Sequence, residues 1–115
     1  PVAAAVINTT SNAGLFRNPG QANYAAAKAG VTSLTRSLAL ALAPAVRVVA
    51  LSPGLVETQA AQAFDPAFKA MHVERTPLRR LATPLDLGHS VVALATQLTA
   101  VTGVVIPVDG GRVLS

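Results

Sequence analysis

Three apolar runs rich in β-branched residues, separated by segments far longer than a hairpin turn, constrain this chain more than any other feature. They are VAAAVINTT at residues 2–10, VRVVAL at 46–51 and GVVIPV at 103–108. The first shows no polar alternation, so it reads as a strand buried on both faces, as in a parallel sheet. Connections this long between strands imply right-handed parallel crossovers, and hence an α/β fold. Pro107 in the third run cannot donate to a ladder, which predicts an edge strand.

The connections carry helical punctuation. A polar loop with Gly and Pro fills residues 11–20, and a helix is predicted from about Gln21 to Leu42. It stops at Ala43-Pro44, because the residue before a proline is steered out of the helical region. Leu34, Leu38, Leu40 and Leu42 cannot all face one sheet, so this helix is expected to be covered twice. The second cover is either another part of the chain or another subunit, with Ala27, Gly30 and Ala41 permitting close approach. Residues 55–81 are less regular, with two short helices, the second capped by Asp65 with Pro66 at its first position. Thr83-Pro84-Leu85-Asp86 repeats that start signal, with Asp86 completing a capping box. Leu87, Val91, Leu94 or Ala95, and Leu98 then form one apolar stripe.

Composition removes several classes of function. Of the 115 residues 51% are hydrophobic and 12% charged, which excludes disorder. A net charge of +4 with three Phe, one Tyr and no Trp gives no basic-aromatic interleaving, so no nucleic-acid partner is expected. The absence of Cys excludes disulfides, thiolate catalysis and Cys-ligated metal. His72 and His89 lack a second ligand at metal spacing, and no metal site is expected. The best membrane candidate, LALALAPAVRVVAL, is broken by Pro44 and Arg47 well short of the ~18 residues needed. The opening PVAAAVINTT has no basic start, which argues against a signal peptide. Beginning without Met inside a strand-like run, it reads as the edge of a longer chain.

One pair of residues stands out chemically. In GQANYAAAKAG, residues 20–30, Tyr24 and Lys28 lie one helical turn apart and project to the same side. A free phenol titrates near ~10, too high for efficient proton transfer at neutral pH. A fixed ammonium nearby favours the phenolate. Ser11 follows the first strand, where a turn at the carboxyl edge of a parallel sheet places side chains in the ligand crevice. Thr9 and Thr10 are competing hydroxyls at that edge. The second strand ends at the same edge in SPGLVET, residues 52–58, whose Pro53-Gly54 turn offers backbone groups and whose Thr58 offers a hydroxyl. RTPLRR, residues 75–80, is a candidate site for an anionic carrier or phosphate, or simply a solvated loop. Glu57 and Asp109 do not form a catalytic pair.

Taken in order, INTTSNAG, NPGQANYAAAKAGVTSLTRSLALALA, VRVVALSPGLVET, TPLRRLATPLDLG and VTGVVIPVDGG resemble the carboxyl-terminal half of a short-chain dehydrogenase/reductase. NPGQANYAAAKAG is especially similar to the β-ketoacyl-ACP reductase branch. The resemblance implies a Rossmann-like doubly wound sheet of which about three strands with flanking helices are present. It divides residues 1–115 into a catalytic segment (8–58), a substrate-side loop with short helices (59–81), and a final helix and edge strand (83–111). It implies hydride transfer between NAD(H) or NADP(H) and a small ketone or secondary alcohol, with a carrier-bound acyl thioester among the candidates. Ser11 would orient the substrate oxygen, Tyr24 act as general acid or base, and Lys28 lower the phenol's pKa and bind the nicotinamide ribose. Cofactor contacts would come from Tyr24, Lys28, Pro53, Gly54, Val56 and Thr58. A cytoplasmic homo-oligomer, dimer or tetramer, built through the long helix and last strand, is also implied, with no membrane partner.

The chain departs from that pattern in three places. Val49 stands where the family often has Asn, and Arg79 where many members have Gly. No glycine here lies in the Gly-rich strand-to-helix turn that a dinucleotide's pyrophosphate requires. The family's remaining catalytic Asn and the segment that selects NAD over NADP would also lie upstream. An alternative follows: these 115 residues by themselves are a catalytically incompetent folding or assembly module.

Overall fold

A computed structural model of the chain describes residues 4–11 and 22–114. Strand β1 (Ala4–Thr9) leads to helix α1 (Ala22–Leu42) and strand β2 (Val46–Pro53). Helices α2 (Gln59–Gln62), α3 (Pro66–Arg75) and α4 (Pro84–Thr96) follow, then strand β3 (Val105–Val108) and a 3-10 turn, Arg112–Leu114. The three strands form one parallel sheet in the order β1-β2-β3, as expected of an α/β fold. Ala4 pairs with Val46 and Thr9 with Leu51; Ala50 pairs with Val105 and Pro53 with Val108. All three strands therefore end at one carboxyl edge.

The core is organised around β2, whose Val48, Val49 and Ala50 are fully buried. Val49 and Leu51 point to one face and pack with Leu94 of α4, joined by Ile7, Val101, Ile106 and Val108. Helix α1 packs on β1 and β2, while α4 packs on β1 and β3. The predicted starts hold: Asp65 caps α3 by accepting from the Ala67 N–H at 2.9 Å, and Thr83 with Asp86 forms a reciprocal capping box on α4. Pro107 sits in β3, an edge strand, as its missing N–H requires.

One expectation is corrected. β1 is not buried on both faces: its residues alternate between exposed and half-buried, with Val6 41% exposed. Among the described residues it pairs on one side, with β2, and the helices cover it partly. The long helix does not turn all of its leucines to the sheet, as their spacing requires. Its buried residues are Thr32, Thr35 and Ala39, whereas Leu34 and Leu40 are exposed. Short side chains let the helix approach the strands closely, and each threonine hydroxyl meets an α1 carbonyl, Lys28 O for Thr32 and Val31 O for Thr35.

Arg47 links the amino end of β2 to the far end of α4. Its Nη1 donates to the carbonyls of Leu98 and Val101, and its Nη2 to those of Leu94 and Ala95. These bonds satisfy carbonyls that a helix end otherwise leaves without intrahelical partners, and they place a positive group where the helix dipole favours one.

Candidate active site

The segment that ends β1 carries Ser11, and the first turns of α1 carry Tyr24 and Lys28. Tyr24 lies in the first turn of α1 with its ring half exposed, and its N–H is held by Asn23 Oδ1 at 3.0 Å. The Lys28 Nζ lies 5.8 Å from the centre of the Tyr24 ring and donates to the Thr9 carbonyl at 3.4 Å. Ser11 is two residues beyond that carbonyl, with Thr10 between it and the strand. The ammonium thus bridges the helix that carries the phenol and the strand end that carries the serine.

The second part of the site is the end of β2. Thr10 N–H donates to Leu51 O at 2.7 Å, so the ends of β1 and β2 lie side by side. Pro53 closes β2, and the Gly54 N–H donates to Val108 O at 3.1 Å. A β-carbon on Gly54 would sit 2.8 Å from the Asp109 β-carbon, so only glycine fits there without displacement. Asp109 is buried, and its carboxylate accepts from the N–H groups of Gly111 and Val113. Val56 forms an isolated parallel bridge with Ala82, next to a bond from Glu57 N–H to Ala82 O at 2.8 Å. Thr58 caps α2 by accepting from the Ala61 N–H at 3.2 Å, which leaves its own proton to donate.

Residues 57–82 leave the sheet edge and return to it. Lys69 pairs with Glu57 at 2.7 Å. Phe64, Phe68 and His72 stack edge to face along one side of the excursion, at 5.4 and 4.6 Å between ring centres. Desolvation lowers the His72 pKa below its ordinary value, and the charges of Arg112 and Arg75 lower it further. Two arginines of RTPLRR are structural here. Arg79, with φ of 57°, donates to the Glu74 carbonyl at the end of α3, and Arg80 grips Asp86 through both Nη atoms at 2.6 and 3.2 Å. The bond from Arg80 holds the Asp86 carboxyl far below the usual carboxylate range, helped by Thr83. A groove of about 650 Å³ between residues 77–82, the start of α4 and residues 107–114 includes Asp86, His89 and Asp109. It contains none of Ser11, Tyr24 or Lys28.

The residues present suit the nicotinamide-ribose end of a dinucleotide. Lys28 has donors beyond the one spent on Thr9, and the Pro53-Gly54 turn lies at the same sheet edge. Among the described residues no group of three His, Asp or Glu converges on a metal position, and no helix is long and apolar enough to cross a membrane.

Thr10, a competing hydroxyl to Ser11 in the sequence, is buried in the structure, and its hydroxyl donates to the Lys28 carbonyl at 2.7 Å. The contact of Gly54 with Asp109 has no local sequence signature, since only folding brings those turns together.

Comparison with known proteins gives the family and the fold. The family model described as enoyl-(acyl carrier protein) reductase matches residues 2–112. The chain is similar to 3-oxoacyl-(acyl-carrier-protein) reductase FabG of Thermotoga maritima, with 38% identity over 111 residues, 95% of this chain and 45% of that protein. Among solved structures it is similar to a putative 2-deoxy-D-gluconate 3-dehydrogenase from Agrobacterium tumefaciens with bound NADP. The TM-score is 0.89 and the identity 31%, over 98% of this chain and 48% of that one. A 7α-hydroxysteroid dehydrogenase complexed with NADH and a 7-oxo bile acid gives a TM-score of 0.87 and 29% identity, over 93% of this chain and 43% of that one. The chain thus spans just under half the length of the proteins it matches.

Proposed function

We propose, from the premise that this chain belongs to the short-chain dehydrogenase/reductase family, that it carries the proton-relay half of a nicotinamide-dependent carbonyl reductase or alcohol dehydrogenase. The observation that carries the reading is the Lys28 ammonium, fixed on the Thr9 carbonyl at the strand end and 5.8 Å from the Tyr24 ring. The reduced nicotinamide, when bound, supplies the hydride that adds to the carbonyl carbon. Ser11 donates a hydrogen bond to the carbonyl oxygen and orients it. Tyr24 transfers its phenolic proton to that oxygen as negative charge develops there, and the phenolate is reprotonated from solvent. Lys28 offers the N–H groups beyond the one spent on Thr9 to the ribose hydroxyls. The turn at Pro53, Gly54 and Val56, with the Thr58 hydroxyl, borders the nicotinamide end. In the direction of alcohol oxidation every step reverses.

The names of the relatives favour a small carbonyl substrate, with a 3-oxoacyl thioester as the first candidate. Both NADH and NADP occur among the similar structures, so either form of the cofactor suits the reading. The exposed Leu34 and Leu40, on different sides of α1, support further covering of that helix by a second copy, as a homo-oligomer using α1 and the last strand would provide.

The test is to supply the full-length protein with reduced nicotinamide and a panel of ketones that includes 3-oxoacyl thioesters. The reading expects equimolar consumption of reduced nicotinamide and ketone for at least one. A folded protein that turns over none of them contradicts it.

A further inference from the structure

We propose that Thr10, supported by Thr32, is a positioning residue that fixes Lys28 against the strand end bearing Ser11; the proposal rests on the reaction assigned above. Lys28 is held from β1 at both of its ends. Its ammonium donates to the Thr9 carbonyl, while its own main-chain carbonyl accepts from the Thr10 hydroxyl at 2.7 Å. Thr9, Thr10 and Ser11 are consecutive, so one short stretch of strand sets the lysine and presents the serine.

Thr10 is 1% exposed and Thr32 6%. The Thr32 hydroxyl lies 3.1 Å from the Thr10 hydroxyl and 3.3 Å from the Lys28 carbonyl. Each hydroxyl has one proton to give. The shortest contact assigns the Thr10 proton to the Lys28 carbonyl, and Thr32 then donates to Thr10. The chain Thr32 to Thr10 to Lys28 carbonyl satisfies all three groups in a site closed to water. Inside a helix, a carbonyl at this position accepts from the N–H four residues on. The Thr10 bond is additional and comes from outside the helix, so it ties the position of α1 along its axis to β1. Apolar packing alone would leave that sliding motion soft. Displacements of about an ångström are costly to proton transfer, and the Thr10 bond resists the displacement that would separate Lys28 from the strand edge.

The same interface contains an internal control. Farther from the carboxyl edge, the Asn8 amide donates to the Thr35 hydroxyl at 3.1 Å, which in turn donates to the Val31 carbonyl at 2.8 Å. That bond also joins β1 to α1, but it holds no residue of the proposed relay.

The experiment compares Thr10→Val, Thr10→Ser and Thr35→Val in the full-length protein, well below the Tm of each and per folded molecule. Thr10→Val is expected to lower kcat about tenfold, Thr10→Ser to restore it to within twofold, and Thr35→Val to lower Tm while leaving kcat within twofold. A Thr10→Val kcat above one third of the parent's overturns the proposal, as does a Thr35→Val loss equal to it. If Thr10→Val does not fold, Thr32→Val decides, a kcat below one third of the parent's supporting the proposal and a higher one overturning it. Tyr24→Phe runs in parallel. Its inactivity beside an unimpaired Thr10→Val removes the positioning role alone, whereas full activity of Tyr24→Phe removes the reaction on which the role rests.

Discussion

Gly54 packs so closely on Asp109 that a β-carbon on Gly54 would stand 2.8 Å from that of Asp109 and 3.1 Å from its α-carbon. The contact locks the turn after β2 to the turn after β3. Gly54→Ala is therefore expected to push the two turns apart, at a cost of about 1–3 kcal/mol for overpacking against backbone. A lowered urea midpoint and a raised KM for the nicotinamide in the full-length protein check this. An unchanged midpoint contradicts it.

Arg47 is buried and gives its guanidinium hydrogens to four carbonyls at and beyond the end of α4. Arg47→Met keeps much of the volume but leaves those carbonyls without the donor. A loss of about 3 kcal/mol is expected, in the range of charged hydrogen bonds removed from a buried site. Arg47 lies at the amino end of β2, opposite the edge that carries the proposed relay, so the kcat of the folded variant should match the parent's. Denaturant titration beside steady-state kinetics separates the two effects.

Acid should expose the clamp at the start of α4. The Asp86 carboxyl is held low in the folded state, chiefly by Arg80. A depressed folded pKa means that the unfolded chain takes up the proton first. The resulting stability is therefore complete above the unfolded value near ~4 and is lost as pH falls below it. Asp86→Asn should flatten the decline of Tm on the acid side of about pH 4 relative to the parent. Equal slopes for the two proteins contradict the assignment.

The 115-residue chain by itself should bind NADH and NADPH only weakly. Its sequence contains no Gly-x-Gly-x-x-Gly pattern of the kind that cradles a pyrophosphate between a strand and a helix. Isothermal titration should give no saturable heat at micromolar concentrations, whereas micromolar binding would show that the nicotinamide end is sufficient.

Features written locally were legible in the sequence. Asp65-Pro66 and Thr83-Pro84-Leu85-Asp86 start helices because their own side chains satisfy the first free N–H groups. Pro44 ends one for steric reasons confined to its neighbours. The pairing of Tyr24 with Lys28 was legible too, since one helical turn fixes it. What folding decides at a distance was hidden. That α1 lays Thr32, Thr35 and Ala39 on the sheet rather than its leucines depends on how closely helix and strand approach. Arg79 and Arg80 looked like free cations in RTPLRR until the ends of α3 and α4 supplied their acceptors. The Thr10 bond to the Lys28 carbonyl spans 18 residues and has no local signature.

The central claim is that the Tyr24 phenol carries the proton. Its most direct test is the kcat of Tyr24→Phe in the full-length protein, with folding checked by circular dichroism and Tm. The account predicts an intact fold and a loss of about a thousandfold, within the range for a removed general acid; a folded Tyr24→Phe that keeps most of the parent's turnover would contradict it.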